Sequence, residues 1–125
     1  MKTTESNVDT VSSLLTAVTQ GNLDAALSAF EEDAKWRCAD GLPEAGTHEG
    51  KDALRKFFTA VRARYRNEPR YLQLTVKASD DHVFAEYTRS GTGDAYGPNT
   101  EHALTVFQLV MGKIREAREF VFRRS

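Results

Sequence analysis

The chain has 125 residues, with 17 basic and 18 acidic side chains and a formal charge of −1. That length fits one domain spanning residues 1–125, and the balanced charge argues against a nucleic-acid binder, because phosphate recognition usually needs a basic excess. With 40% hydrophobic and 28% charged residues, the composition is that of a folded chain and not a disordered one.

One cysteine, Cys38, excludes an internal disulfide framework and cannot by itself build a zinc site. No apolar run approaches the ~20 residues needed to cross a bilayer. The polar opening also lacks the apolar stretch of a secretion signal. These features point to a cytoplasmic protein without membrane contact. Charge is uneven: residues 1–50 hold three basic and nine acidic side chains, and residues 51–125 hold fourteen and nine.

In chain order, Val8, Val11, Leu15 and Val18 recur at helical spacing, with Leu14 widening the stripe. Ser6 and Asp9 are suited to cap its start, and Gly21 to close its end. Asn22 can cap a short second helix carrying Leu23, Ala26, Leu27 and Phe30. Lys35 to Cys38 reads as a short strand, followed by a loop from Gly41 to Glu49. A third helix places Leu54, Phe57, Phe58, Val61 and Tyr65 on one face and ends at Asn67-Glu68-Pro69. Arg55, Arg62 and Arg66 lie opposite and read as a solvated face.

After Pro69 the period changes to two. Leu72, Leu74, Val76 and Ala78 alternate with polar residues, and Asp80-Asp81 makes a turn. Three more strands follow, over 83–90, 100–110 and 114–122, the last two joined at Gly112-Lys113. Gly91 to Gly97 is misspaced for a dinucleotide loop and reads as a hairpin rim. Helices followed by a strand meander predict an α+β fold, with the helices on one face of a curved antiparallel sheet.

The run Gly21-Asn22-Leu23-Asp24-Ala25-Ala26-Leu27, then Phe30-Glu31-Glu32-Asp33-Ala34 and Trp36, resembles the opening of the nuclear transport factor 2-like superfamily. Gly50 with Ala53-Leu54 resembles that family's helix start, and Phe107 through Gly112-Lys113-Ile114 its closing hairpin. The resemblance points to the SnoaL-like, ketosteroid isomerase-like branch. It implies a cone-shaped curved antiparallel sheet packed on three N-terminal helices, an apolar pocket for a lipophilic small molecule, and a homodimer.

Function has to come from what lines that pocket. The isomerases' tyrosine, general-base Asp and proton-donating Asp fall on Leu14, Cys38 and Thr105, so that mechanism is missing here unless Asp40, two residues on, takes over. The epoxide hydrolases' Arg–Asp pair and last-strand Asp match Tyr87, Arg89 and Glu119, with Trp36 and Cys38 at their Tyr and Asn.

Strand alternation adds a check that is independent of the resemblance. Tyr87 and Arg89 share a face with Val83 and Ala85, and Glu119 shares one with Ala117 and Val121. An interior carboxylate needs a partner, and Arg89 is the candidate. Two readings follow: Glu119 as general acid or base, oriented by Arg89, with Tyr87 donating to an oxyanion, or a structural ion pair. Trp36, Phe58 and Phe107 line the cone, with Cys38, Asp40 and Thr105 beside them. Cys38 has no histidine at nucleophile spacing, and His48, His82 and His102 make no ligand pair. No metal or cofactor is therefore expected. Phe120 and Phe122, opposite Glu119 in the alternation, offer a dimer face.

Overall fold

The computed structural model describes residues 3–38, 45–64, 69–91 and 101–124. The element order is α1 (Thr3–Gln20), α2 (Leu23–Leu27), β1 (Phe30–Cys38), β2 (Gly46–Glu49), α3 (Lys51–Arg64), β3 (Pro69–Ser79), β4 (His82–Gly91), β5 (Glu101–Val110) and β6 (Lys113–Arg124). The six strands form one curved, unclosed sheet in the order β2-β1-β6-β5-β4-β3. It is not wholly antiparallel, because β1 runs parallel to β6. The chain enters β1 after helix α2, and its final strand, β6, lies between β1 and β5. The helices cover one face, with α1 against β3 and β4 and α3 against β1 and β2.

The core lies between helices and sheet. Val11, Leu14, Leu15 and Val18 of α1 meet Leu54, Phe57, Phe58 and Val61 of α3 across Phe30, Trp36 and Phe107. Trp36 is the hub, with ring centroids 5.0, 5.5 and 5.6 Å from Phe57, Phe58 and Phe107. Such tilted and edge-on packing suits the ring quadrupoles.

Several boundaries differ from the sequence reading. Helix α1 begins at Thr3, so Ser6 lies within it, its carbonyl accepting from the Thr10 hydroxyl. Phe30 opens β1 and is not part of the second helix. Residues 46–49, expected as loop, pair with β1 as strand β2. Asn22 does cap α2, its Oδ1 accepting from the Ala25 amide. Tyr65, Arg66 and most of the Gly91–Gly97 segment lie outside the described residues.

Strand β3 departs most. Gln73 takes a left-handed φ of 54°, and the register shifts between Leu72 and Thr75. Gln73 and Leu74 together oppose the single residue Tyr87, which is a β-bulge. A bulge resets the alternation. Leu74 is therefore 39% exposed, while Tyr71 packs inward on the same side as Val76 and Ala78.

Arg62 also differs from the expected solvated face. Helix α1 ends in a Schellman pair, Asn22 N to Ala17 O and Gly21 N to Val18 O, with Gly21 at φ 79°. Arg62 reaches across from α3 to donate to Val18 O at 2.6 Å and Thr19 O at 3.0 Å. It thereby pairs the Thr19 carbonyl, gives the Val18 carbonyl a second donor, and places a cation on the negative end of the dipole. Arg62→Met is expected to destabilise the protein by about 1–2 kcal/mol in urea unfolding. Arg55→Met, which removes an exposed pair with Asp24, should cost less than about 0.5 kcal/mol. Equal effects would mean that Arg62 does not cap.

Candidate functional site

Inward positions of β4, of β5 and of β6 over residues 117–121 alternate, and they place polar residues among small ones. Glu119 of β6 pairs with Cys38 of β1 on one side and Thr105 of β5 on the other. One row further along, Tyr87 faces Ala103, and beyond it Arg89 stands between Glu101 and Tyr71. Ala85, Ala103 and Ala117, all fully buried, separate these long side chains. The alanines leave the volume into which Tyr87 and Arg89 extend to meet Glu119.

The result is a buried polar cluster. Arg89 Nη2 lies 2.7 Å from Glu119 Oε2 and 2.7 Å from Glu101 Oε1. The three side chains are at most 2% exposed. Glu119 also faces three further donors. Trp36 Nε1 donates to Oε1 at 3.2 Å, Cys38 Sγ to the same oxygen at 3.6 Å, and the Tyr87 hydroxyl to Oε2 at 3.4 Å. The Tyr87 oxygen is 2.8 Å from the Thr105 hydroxyl, which fixes the phenol laterally. Tyr71 packs edge-on against the Tyr87 ring at 4.9 Å and stands opposite Arg89 in the β3/β4 register.

The electrostatics of the phenols are set by burial. Desolvation pushes Tyr87 well above the ordinary phenol value of 10.0; the Glu119 charge adds to this and Arg89 opposes it. Tyr71 is raised too, again chiefly by desolvation, with Arg89 opposing and Glu119 adding. Both phenols therefore remain proton donors at neutral pH.

Of the residues singled out from sequence, the structure brings Glu119, Arg89, Tyr87, Thr105, Trp36 and Cys38 together, with Phe58 and Phe107 packed on the far side of Trp36. Asp40 lies outside the described residues. Two members were missed. Glu101 sits in register with Ala103, Thr105 and Phe107 in the buried alternation of β5, so the same parity argument that found Glu119 would have found it. Tyr71 carried no such signal, because the bulge hides its face. Among the described residues, no cluster of His, Cys, Asp and Glu is arranged to hold a metal ion.

A curved sheet packed on helices, with a polar cluster buried on the helix-covered side, defines a cone-fold α+β protein. Comparison places it more closely: a family model for the SnoaL-like domain matches residues 11–117, and the chain belongs to that family. Solved structures agree on the fold. Bal32a from a soil-derived mobile gene cassette superposes with a TM-score of 0.83 at 23% identity, covering 95% of this chain and 91% of that one. A nuclear transport factor 2-like protein from Burkholderia xenovorans LB400 gives 0.76 at 22%, covering 95% and 91%. TerC, co-crystallised with polyporic acid, gives 0.79 at 17%, covering 94% and 92%. No curated protein matches the sequence. Among the described residues, no helix is long and apolar enough to cross a membrane.

The raised phenols make a pH prediction. Between pH 10.0 and the higher folded-state values, the unfolded chain loses phenolic protons that the folded chain keeps. Stability is thus fully present below about pH 10 and falls as pH rises beyond it. Urea midpoints measured across that range should fall, and should fall less steeply in Tyr87→Phe. An unchanged slope in that variant would contradict the assignment.

Proposed function

We propose that the protein is a cofactor-independent acid–base enzyme acting on a lipophilic small molecule, with Glu119 as the proton-transferring group. The observation that carries this reading is the Glu119 carboxylate held among Arg89, Tyr87, Trp36 and Cys38 beside an aromatic wall. Isomerisation, cyclisation, dehydration and hydrolysis all need a proton moved at a positioned atom. In this reading Glu119 moves it and Arg89 holds the carboxylate in place. Tyr87, kept protonated by burial, donates to the oxyanion that develops. Thr105 orients Tyr87, while Trp36, Phe58 and Phe107 shape the apolar side. The Cys38 thiol is a donor to the carboxylate here, not a nucleophile, and a single cysteine in the chain suits a reducing, cytoplasmic compartment.

The site class, and not sequence likeness to any one protein, supports a small lipophilic ligand. TerC's crystallisation with polyporic acid makes that compound a rational member of a test panel, beside steroids and terpene epoxides. A ligand at ~100 times its dissociation constant should stabilise the wild type by about 2.7 kcal/mol in thermal unfolding. Glu119→Gln and Arg89→Met should lose most of that shift and any turnover. A shift of equal size in all three proteins would make the cluster structural.

A second reading, a non-catalytic ligand-binding or dimerisation module, is favoured by one fact: the Glu119 side chain is 0% exposed. Homodimerisation belongs to either reading. Phe84, Phe120 and Phe122 are 39%, 44% and 59% exposed on the outer face of the sheet, where an apolar patch is costly to leave in water. Light scattering at micromolar concentration should return twice the 14.0 kDa of one chain. Phe120→Lys should shift the mass toward the monomer, and a monomeric wild type would overturn the dimer.

A further inference from the structure

The buried cluster raises a question of access. Glu119, Arg89 and Glu101 have almost no exposed surface, so any molecule that meets them must displace a neighbour. Three surface grooves bear on this. One, of about 450 Å³, is bounded by Asp9, Ser13, Ala25 and the Gly112-Lys113 turn. Another, of about 380 Å³, is bounded by Glu31, Lys35, Glu49 and Arg115. Neither is lined by a residue of the cluster. The third, also about 380 Å³, lies between α1 and β3 and is lined by Ser12, Leu15, Thr16, Leu72 and Leu74, with Tyr71 at its wall. Its volume falls in the range of small-molecule sites.

We infer that small molecules reach Glu119 from this α1/β3 groove, and that Tyr71 is the side chain standing between groove and cluster. Tyr71 belongs to both places. It lines the groove, yet its ring packs edge-on against Tyr87 and it stands opposite Arg89 in the β3/β4 register. No other side chain named above does this. The backbone around it is the least constrained of the site. β3 is an edge strand paired only to β4, and the bulge at Gln73 interrupts even that pairing two residues away. Tyr71 is also only half-buried, unlike the rest of the cluster. Moving it therefore disturbs one strand, whereas moving Thr105 or Trp36 would open the core.

The geometry also says what kind of molecule enters. Swinging Tyr71 aside takes a polar side chain away from the buried Arg89 guanidinium, and a buried cation that loses polar surroundings pays a desolvation cost. The incoming molecule must return an acceptor oxygen to the guanidinium, as a carbonyl, phenol or epoxide would. Its apolar body then lies along Leu15, Leu72 and Leu74, with the hydroxyls of Ser12 and Thr16 at the rim. This ligand class rests on the acid–base reading above; the route itself does not.

The protein carries its own reporters, because its one cysteine and one tryptophan both touch Glu119. Alkylation of Cys38 by iodoacetamide, read by mass spectrometry, and quenching of Trp36 by acrylamide measure access without any substrate. Tyr71→Ala should raise both rates by about tenfold, at urea concentrations well below unfolding, because local opening becomes easier. Tyr71→Phe, which keeps the ring, should stay within about twofold of wild type. Thr16→Phe, an exposed position on α1, should fill the groove and slow both rates below wild type. If Tyr71→Ala does not fold, Thr16→Phe and Leu74→Phe decide in an otherwise native protein. Wild-type rates in every folded variant would place the route elsewhere and overturn the inference. Faster labelling of Tyr71→Ala with no stabilising ligand in the panel would keep the route while removing support from the enzymatic reading.

Discussion

The structure turns on taking one guanidinium and two carboxylates almost wholly out of water. Each buried charge carries a desolvation penalty of several kcal/mol, which mutual attraction offsets only with close geometry and further hydrogen bonds. The neighbours of Glu119 meet that condition: Arg89 on one oxygen, Trp36 and Cys38 on the other, with Tyr87 alongside. Removing one partner of such a pair typically costs about 3–5 kcal/mol, while apolar replacements of the same volume are often neutral or stabilising. A cluster like this is a poor device for stability alone. Proton transfer inside an apolar cone gives it a reason to exist, and that is the physical argument behind the proposed chemistry.

The fold's irregularities serve that cluster. Parallel insertion of β6 beside β1 brings Trp36 and Cys38 to Glu119, which a purely antiparallel meander would not do. The bulge in β3 sits opposite Tyr87 and turns Tyr71 inward beneath it. Bulges next to active sites commonly re-aim a side chain in this way. Even the helical layer is tied in: Arg62, which caps α1, also lowers the Tyr71 phenol slightly through its charge, the weakest of the influences on it.

How much was legible in the sequence follows from which period was unbroken. Over 101–110 and 117–121 the alternation is uninterrupted, so the inward pointing of Glu119 could be read by counting, as could that of Glu101 had the count been carried to the strand's first residue. Over 71–76 counting fails. Leu72 and Leu74 looked like core because they are apolar and two apart, but a non-glycine residue in a left-handed conformation has no reliable sequence mark. Strand β2 was missed for a different reason: Gly46-Thr47-His48-Glu49 has no apolar alternation, and tertiary pairing with β1 alone makes it a strand. Arg62 was misread because helical periodicity reports which face a residue occupies and not how far a long side chain reaches.

The displaced family positions have a geometric explanation. Cys38 and Thr105 stand where the resemblance places the carboxylates of the isomerases, and both flank Glu119 in one transverse row of the sheet, β1 to β6 to β5. Neither position has left the site. Each now supplies a hydrogen-bonding group, Cys38 to the carboxylate and Thr105 to the phenol that faces it. The carboxylate of that row, Glu119, stands one strand over from either position, about 4.8 Å across the sheet. A displacement of that size leaves the aromatic wall of Trp36 and Phe107 in place while changing, in the proposed chemistry, the direction from which a proton would be taken. In the proposed chemistry, a substrate would therefore present its reactive atom toward β6 and its polar oxygen toward Tyr87 and Arg89.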